Sequence, residues 1–171
     1  MQPQFQIEGV DVYVEGEGAE TILMVHGWPD SWRLWDAQVE HFKPRYRCVR
    51  FSLPGYEAGT PRRAYSLDDV TGVISKIADR VSPDQPVTLL LHDWGCFFGY
   101  QYAVRNPARV NRVIGIDVGD STTLARVMGP IGGLMVFAYQ SWLAVAWAIG
   151  GGIGDWMTRI MAKGLGCQTD M

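Results

Sequence analysis

Short apolar runs alternate with amphipathic helical patterns through residues 1–120, and this alternation constrains the fold more than any other feature of the chain. Strands are predicted over residues 21–25, 46–52, 87–91 and 110–116, and the runs at 21–25 and 87–91 are the most continuously apolar of them. Runs of this length without polar alternation are typical of strands that are buried on both faces. They predict an α/β fold in which a mostly parallel sheet has helices on both faces. Residues 5–8 and 10–14 alternate in period two and predict a preceding hairpin.

Helices are predicted between the strands, over residues 31–42, from Ser66 towards Pro83, and over 95–106. Ser66, with Asp69 three residues later, has the pattern of a capping box. After Asp120 the sequence becomes helical and rich in Gly and Met. We therefore predict a sheet-based domain over residues 1–120 and a separate helical segment over residues 121–171.

The segment 127–154 contains no charged residue, since Arg126 and Asp155 are the nearest charges. Its length alone makes it a candidate membrane span. Glycine clusters at both ends leave an uninterrupted apolar stretch only over 134–149, which is short for a span. We predict a buried or pocket-lining helix, with a membrane contact as the weaker alternative.

Composition excludes several classes of function. The net charge of −3 gives no broad basic surface for nucleic acid. Three well-separated cysteines form neither a disulfide framework nor a metal-ligand pattern, and no signal peptide is visible, so we expect a reduced, cytoplasmic protein without a metal. The glycines at 150–154 lack the spacing of a dinucleotide fingerprint and follow no strand, so no cofactor is expected.

Three unusual polar sequences follow the predicted strands: His-Gly-Trp-Pro at 26–29, Leu-Pro-Gly-Tyr at 53–56 and His-Asp-Trp-Gly at 92–95. In parallel sheets, chemistry collects at the carboxyl ends of the strands. Asp93 ends the most apolar strand and stands where a helix begins. Two roles are open to its carboxylate: it caps that helix, or it is a nucleophile held rigidly at the helix N-terminus.

In this order, the three motifs resemble those of α/β-hydrolases, and most closely those of the epoxide hydrolase and haloalkane dehalogenase branch. In that branch the turn that usually reads G-x-S-x-G carries Asp in place of Ser, and the present chain contains no G-x-S-x-G. The resemblance covers residues 5–120. It implies that residues 1–120 are the N-terminal part of the α/β-hydrolase core and that residues 121–171 are part of a helical cap.

The resemblance also implies a role for each motif residue. Asp93 would attack an sp³ carbon and form an alkyl-enzyme ester. The backbone N–H groups of Trp28 and Trp94 would form the oxyanion hole when water attacks that ester. His26 would be a hydrogen-bonding residue of its loop and not a base, and a cis peptide would precede Pro29.

Two further roles fall outside the three motifs. In the family, cap tyrosines protonate the departing alkoxide, and Tyr139 lies at a plausible distance after Asp93, although a core aromatic residue is an equally open interpretation. The acid that orients the catalytic histidine follows the sixth strand in some members, where this chain has Asp117. Asp120 is a weaker candidate for the same role.

The electrophile is expected to be a small apolar molecule. Dehalogenases of this branch commonly carry Asn where this chain has Trp28, so the His-Gly-Trp-Pro motif favours an epoxide, with a haloalkane as the alternative. Trp94 is compatible with either substrate, an epoxide or a haloalkane.

The family's catalytic histidine follows the last strand of the sheet, but the three histidines of this chain, His26, His41 and His92, all lie at or before the Asp93 motif. We therefore expect a truncated form that lacks the last strands and turns over slowly, or a non-catalytic fragment that binds a ligand or partner. An incomplete sheet edge would favour self-association. Leu91 also departs from the family, which prefers a small residue two positions before the nucleophile.

Overall fold

The structure is a computed structural model that describes residues 1–57, 62–118 and 128–167. It divides into two compact units, Met1–Asp120 and Ser121–Met171, which we call the sheet unit and the helical unit.

A six-stranded sheet forms the sheet unit, with strand order β1-β2-β4-β3-β5-β6. The strands are β1 Phe5–Ile7, β2 Val10–Glu15, β3 Thr21–Val25, β4 Arg47–Phe51, β5 Val87–His92 and β6 Val110–Ile116. The β1/β2 and β2/β4 pairs are antiparallel, whereas β4, β3, β5 and β6 run parallel. The predicted N-terminal hairpin and the mostly parallel sheet that follows it are both confirmed.

Helices cover both faces of this sheet, because alternate residues of each central strand point to opposite sides. Leu23 and Val25 of β3 pack into a core with helix α2, Leu67–Val81, and helix α3, Trp94–Arg105. Ile22 and Met24 pack on the other side, against helix α1, Asp36–Phe42. Every residue of β3 is buried as a result, which explains its continuous apolar sequence.

The sequence predicts the start of α2 correctly, but not the division of residues 31–42. The capping box of α2 forms as predicted, with Ser66 and Asp69 exchanging both hydrogen bonds. Residues 31–42, predicted as one helix, divide into a 3-10 turn, Trp32–Trp35, and α1. In a 3-10 turn, residues three apart lie on one side. This geometry buries both Trp32 and Trp35, and a single helix is the wrong prediction here.

Strand β6 lies at the edge of the sheet and pairs with β5 on one side. No strand of the described residues pairs with its other edge. Val113, Ile114 and Ile116 of β6 are between 38% and 45% exposed, unlike the apolar residues of the central strands. The sheet unit therefore presents an open apolar edge.

Two helices form the described part of the helical unit, α4, Pro130–Ile149, and α5, Gly151–Gly164. They pack closely where Gly154 meets the backbone of Ala146, since a Cβ on Gly154 would lie 2.3 Å from the Ala146 oxygen. The indole Nε1 of Trp142 donates a hydrogen bond to the Met157 oxygen at 3.0 Å, which joins the helices a second time.

Helix α4 is long and apolar enough to cross a membrane by length and composition, and only 6% of its most apolar stretch is buried. Ala146 is its one buried residue in the part of the chain that the structure describes. Of the two predicted alternatives, a buried helix is therefore wrong for these residues, and a pocket-lining helix stays a prediction. The physical reason is that α4 has a single described neighbour in its unit, α5, which covers only one strip of its surface.

Candidate active site

Asp93 is the single residue between β5 and α3, and we call this junction the elbow. Its backbone has φ 50° and ψ −124°, a region that residues with a side chain rarely adopt and that costs about 1–3 kcal/mol. Asp93 occupies the N-cap position of α3, yet its side chain makes no capping hydrogen bond. The helix-capping interpretation of this carboxylate is therefore wrong, and the carboxylate points elsewhere.

The carboxylate of Asp93 faces the loop after β3. The backbone N–H of Trp28 donates a hydrogen bond to Asp93 Oδ2 at 2.7 Å, across 65 residues of sequence. Hydrogen bonds to a carboxylate are roughly twice as strong as neutral ones. Oδ1 accepts no hydrogen bond from any residue in the described ranges. The two carboxylate oxygens therefore differ: a backbone N–H fixes Oδ2, whereas no residue in the described ranges donates to Oδ1.

Glycines on both sides of the elbow allow this close approach. A Cβ on Gly27 would lie 2.3 Å from Asp93 Oδ2 and 2.4 Å from the Trp94 nitrogen. A Cβ on Gly95 would lie 2.2 Å from the Val25 oxygen, so any side chain there would push α3 away from β3. The Trp28 N–H and the Trp94 N–H, the two predicted oxyanion donors, therefore lie beside the same carboxylate, with Gly27 between them.

Leu91 does not disrupt the elbow, although it is larger than the residue expected at that position. Its side chain is fully buried and occupies the space above Gly99 of α3. A Cβ on Gly99 would lie 2.5 Å from both methyl carbons of Leu91. The missing side chain at Gly99 thus accommodates the large one at Leu91.

His26 joins two loops at the carboxyl edge of the sheet. Its Nε2 accepts a hydrogen bond from the Leu53 N–H at 2.9 Å, so Nδ1 carries the proton and donates to the Gly27 oxygen at 2.8 Å. Burial lowers the pKa of His26 to about 4. With both nitrogens engaged and the ring neutral, His26 supports the loop and is poorly suited to act as a base. The peptide between Trp28 and Pro29 is cis, as the resemblance implies.

Asp30 and His92 form a second contact between the loop after β3 and the elbow. Their Oδ2 and Nδ1 atoms lie 3.9 Å apart, and the buried Nδ1 has no hydrogen-bond partner among the described residues. Burial raises the pKa of Asp30, and the charge of Asp93 raises it further. Asp30 is not among the residues that the sequence motifs predict to have a role. The position of Asp30 directly after Pro29 could have indicated a place in the site, because the turn at Pro29 brings Asp30 back to the ends of the strands.

Asp117 follows β6 at the strand end next to the elbow. The Asp93 N–H donates to the Ile116 oxygen at 3.4 Å, which ties the two strand ends together. Asp117 is exposed and has φ 81°. Asp120 lies outside the described residues. The role of either residue as the histidine-orienting acid stays a prediction.

Tyr139 lies on α4 of the helical unit and is partly buried, with its hydroxyl oxygen accepting a hydrogen bond from Gln140 Nε2 at 3.5 Å. The sheet unit brings the other predicted site residues together at one edge of the sheet: Asp93, Trp28, Trp94, His26 and Pro29. Asp117 stands at the neighbouring strand end.

Comparisons with known proteins identify the family of this chain. The sequence pattern of the family described as alpha/beta hydrolase fold matches residues 20–146. Epoxide hydrolase 1 of Caenorhabditis elegans is 32% identical over 96 residues, which is 54% of this chain and 24% of that protein. The probable oxidoreductase EphD of Mycobacterium tuberculosis is 34% identical over 112 residues, 62% of this chain and 19% of that protein.

Among solved structures, an epoxide hydrolase from Bacillus megaterium in complex with an inhibitor superposes with a TM-score of 0.69 and 25% identity. The match covers 81% of this chain and 50% of that one, so the chain spans at most half the length of these three proteins. Within that span, the family pattern covers strands β3 to β6 and the elbow. This chain therefore belongs to the α/β-hydrolase fold family, and its similarity within that family is to epoxide hydrolases.

Proposed function

We propose that this protein acts on epoxides and that Asp93 is the residue that attacks the epoxide carbon. The observation that carries the proposal is the unequal treatment of the two carboxylate oxygens. Oδ2 accepts the Trp28 N–H at 2.7 Å, whereas Oδ1 has no partner in the described parts of the chain. A carboxylate that is fixed through one oxygen presents the other in a defined direction, as a nucleophile requires.

In the first step, Oδ1 forms a bond to an epoxide carbon, and the bond from that carbon to the ring oxygen breaks. The electron pair stays on the ring oxygen, which takes up a proton. The family resemblance predicts the hydroxyl of Tyr139 as the donor of that proton, since an acid lowers the cost of the departing alkoxide. The product of this step is an ester of Asp93 with a free hydroxyl on the neighbouring carbon.

In the second step, water adds to the carbonyl carbon of the ester, and negative charge develops on Oδ2. The bond from that carbon to Oδ1 then breaks, and Oδ1 leaves as part of the diol with the proton that the water gives up. The N–H groups of Trp28 and Trp94 would stabilise that charge.

The attacking water needs a base, which in the family is a histidine. Of the three histidines, His26 is neutral with both nitrogens hydrogen-bonded, and His41 is exposed on α1. His92 ends β5 with its Nδ1 3.9 Å from Asp30 Oδ2, and it does not follow the last strand, where the family has its catalytic histidine. We therefore expect the ester to persist when the 171-residue chain is studied alone.

The test is intact-protein mass spectrometry after incubation with a terminal epoxide such as 1,2-epoxybutane. Addition breaks only the epoxide ring, so the chain should gain the whole mass of the epoxide, and peptide mapping should find it on Asp93. Asp93→Asn should abolish this adduct. Asp84→Asn, at an exposed carboxylate before β5, is the matched control and should keep it.

Peptide mapping also distinguishes an adduct on Asp93 from alkylation of a cysteine thiol. Cys48 and Cys96 are buried, so Cys167, which is partly exposed, is the thiol expected to compete. A folded chain that gains no mass on Asp93 with a panel of epoxides would leave the proposal without support. That result would favour the non-catalytic alternative, a module that binds a ligand or a partner.

A haloalkane is the second candidate substrate, because Trp94 directly follows the elbow and dehalogenases of this branch carry Trp there. The same experiment distinguishes the two substrates. A haloalkane would add only its alkyl group and release halide, whereas an epoxide adds completely. The relatives named as epoxide hydrolases favour the epoxide.

The oxidoreductase name of the mycobacterial relative suggests no second activity for this chain. The match covers 19% of that protein. The glycines at 150–154 follow helix α4 and begin helix α5, whereas a dinucleotide fingerprint follows a strand.

A further inference from the structure

Helix α4 presents a row of large apolar side chains to solvent along its whole length. These side chains follow one another at spacings of one, three, four or seven residues, which places them on one side of the helix. They are between 38% and 77% exposed, and we call them the apolar face: Ile131, Leu134, Met135, Trp142, Val145 and Ile149. Apolar surface of this extent marks a binding surface.

The remaining sides of α4 carry no charge either. Phe137 and Trp147 lie outside the apolar face and are 70% and 54% exposed, and the sequence has no charged residue from 127 to 154. A helix that pairs with a protein partner needs one apolar stripe bordered by charged residues, and α4 lacks that border. A helix that is apolar all round lies in the core of a large protein or in a bilayer. Only 6% of the most apolar stretch of α4 is buried, so the described chain does not provide such a core.

The length of α4 matches a bilayer, but its middle does not favour a span. Its 20 residues extend over about 30 Å, close to the thickness of the hydrocarbon core. Gln140 and Ser141 lie halfway along the helix, where a span would place them in hydrocarbon. Gly154 of α5 packs on Ala146, so a span would also carry the neighbouring Asp155 into the membrane at a high cost. These features favour a helix that lies along the bilayer surface.

Helix α5 keeps its charges on the side that faces away from α4. Asp155, Arg159 and Lys163 are exposed and recur every four residues, so they share one side of the helix. At about 3.6 residues per turn, this side points roughly opposite to Gly154 and Met157, which contact α4. Two of the three charges are basic, which complements anionic lipid headgroups. The two helices together therefore have an apolar side and a charged side.

Tryptophan and isoleucine side chains extend the apolar surface onto α5. Ile153, Trp156 and Ile160 are spaced by three and four residues, and they are 64%, 58% and 44% exposed. Tryptophan favours the boundary between headgroups and acyl chains, because its ring is apolar and its N–H is polar. The exposed Trp142, Trp147 and Trp156 are therefore suited to that boundary.

We propose that the helical unit binds the surface of a lipid bilayer. The apolar face of α4 enters the boundary between headgroups and acyl chains, and the charged side of α5 points towards the headgroups and water. Tyr139 lies on the partly buried side of α4 and not on the apolar face. The inference does not depend on the reaction proposed for Asp93, since no residue of the apolar face belongs to that site.

The test is flotation of the full chain with vesicles of phosphatidylcholine that contain about one quarter of anionic phosphatidylglycerol. The mixture is placed beneath a sucrose gradient and centrifuged. Bound chain should rise with the lipid, whereas aggregated chain stays at the bottom. Binding should persist in about 0.5 M NaCl, because salt screens charges but does not weaken the burial of apolar side chains.

Two variants test the apolar face itself. Leu134→Glu and Val145→Glu should each lower the ratio of bound to free chain by about tenfold or more, because each exchanges an inserted apolar side chain for a charge. Both positions are exposed, so the fold should be retained, and circular dichroism checks this. Val104→Glu makes the same kind of change at an exposed position of α3 and should keep full binding.

Three outcomes would overturn the proposal: a natural chain that stays at the bottom of the gradient, equal flotation of the natural chain and both variants, or complete release by salt. Sedimentation velocity without lipid tests the other occupant of this face, a second copy of the chain. Self-association that Leu134→Glu weakens, in a chain that does not float, would assign the face to contacts between copies. The adduct on Asp93 is measured separately, so either proposal can fail alone.

Discussion

At the scale of single residues, the elbow depends on backbone groups more than on side-chain partners. The Trp28 N–H holds Asp93, and the Leu53 N–H fixes the tautomer of His26. Neither donor depends on the identity of its own side chain. Glycine at 27 leaves the space in which the first of these bonds forms.

The buried His26 makes stability depend on pH. Its pKa falls from an ordinary value of 6.5 to about 4 in the folded chain, so the unfolded chain binds more protons between these values. The free energy of unfolding therefore rises with pH through this window. The contribution of His26 to the free energy of unfolding is complete above about pH 6.5, and about 3 kcal/mol of it is lost as the pH falls to about 4.

Urea unfolding at a series of pH values between 4 and 7 measures this slope. His26→Asn should flatten it, whereas the exposed His41→Asn should keep it. If the slopes of all three proteins coincide, the dependence comes from groups other than His26.

The absence of a side chain at Gly27 leaves space for the Asp93 carboxylate. In Gly27→Ala the new methyl group would meet Asp93 Oδ2 and the Trp94 nitrogen, so we expect the carboxylate to move. A displacement of about 1 Å costs roughly 100-fold in rate. Adduct formation with 1,2-epoxybutane should fall accordingly.

Gly72→Ala is the control for this variant, because a Cβ at Gly72 on α2 meets nothing within 4 Å. It should keep the alkylation rate. An unchanged rate in Gly27→Ala would mean that the close packing at the elbow has no part in the chemistry.

At the scale of elements, the sequence predicted strands β3 and β6 with their observed bounds, because both are short runs rich in β-branched residues between turn or loop signals. The position of Asp93 between a strand and a helix was also predictable. The division of residues 31–42 was not, since a 3-10 turn and an α-helix share similar apolar spacing. The packing of Leu91 against Gly99 could not be predicted from the sequence either, because it depends on how a helix packs across a strand.

That match predicts a non-additive pair of substitutions. Gly99→Ala places a methyl group against both Leu91 methyl carbons and should destabilise the chain by about 1–3 kcal/mol. Leu91→Ala leaves a cavity and should cost about 2–5 kcal/mol. The double variant should cost less than the two together, because the new methyl group enters the space that Leu91 vacates.

Urea denaturation of the four proteins gives this coupling free energy directly. Strictly additive costs would show that Gly99 and Leu91 are not packed against each other as the structure describes.

At the scale of the whole molecule, the edge of the sheet at β6 differs from its centre. The central strands are buried on both faces, whereas β6 leaves Val113, Ile114 and Ile116 exposed at an edge. Val113, Ile114 and Ile116 of β6 are residue types typical of a central strand, so the pattern predicted that β6 is a strand but not that it is exposed. Exposure depends on what else packs beside the strand, which local sequence does not encode.

An open apolar edge of this kind predicts self-association. Sedimentation velocity should show a mass that rises with protein concentration. Ile114→Lys should weaken the association, because a charged side chain on an edge strand opposes strand pairing. Val104→Lys, on the exposed side of α3, should leave it unchanged. A monomer at all concentrations would contradict the prediction.

The hydrogen bond from Trp28 to Asp93 also has a spectroscopic consequence. Its amide proton points at a carboxylate oxygen, so its NMR resonance should lie far downfield while that oxygen carries charge. Esterification of Asp93 would neutralise the acceptor and move the resonance upfield. The Trp28 amide is thus a built-in reporter, and a titration with epoxide would follow the occupancy of the nucleophile in real time, without a label on the substrate.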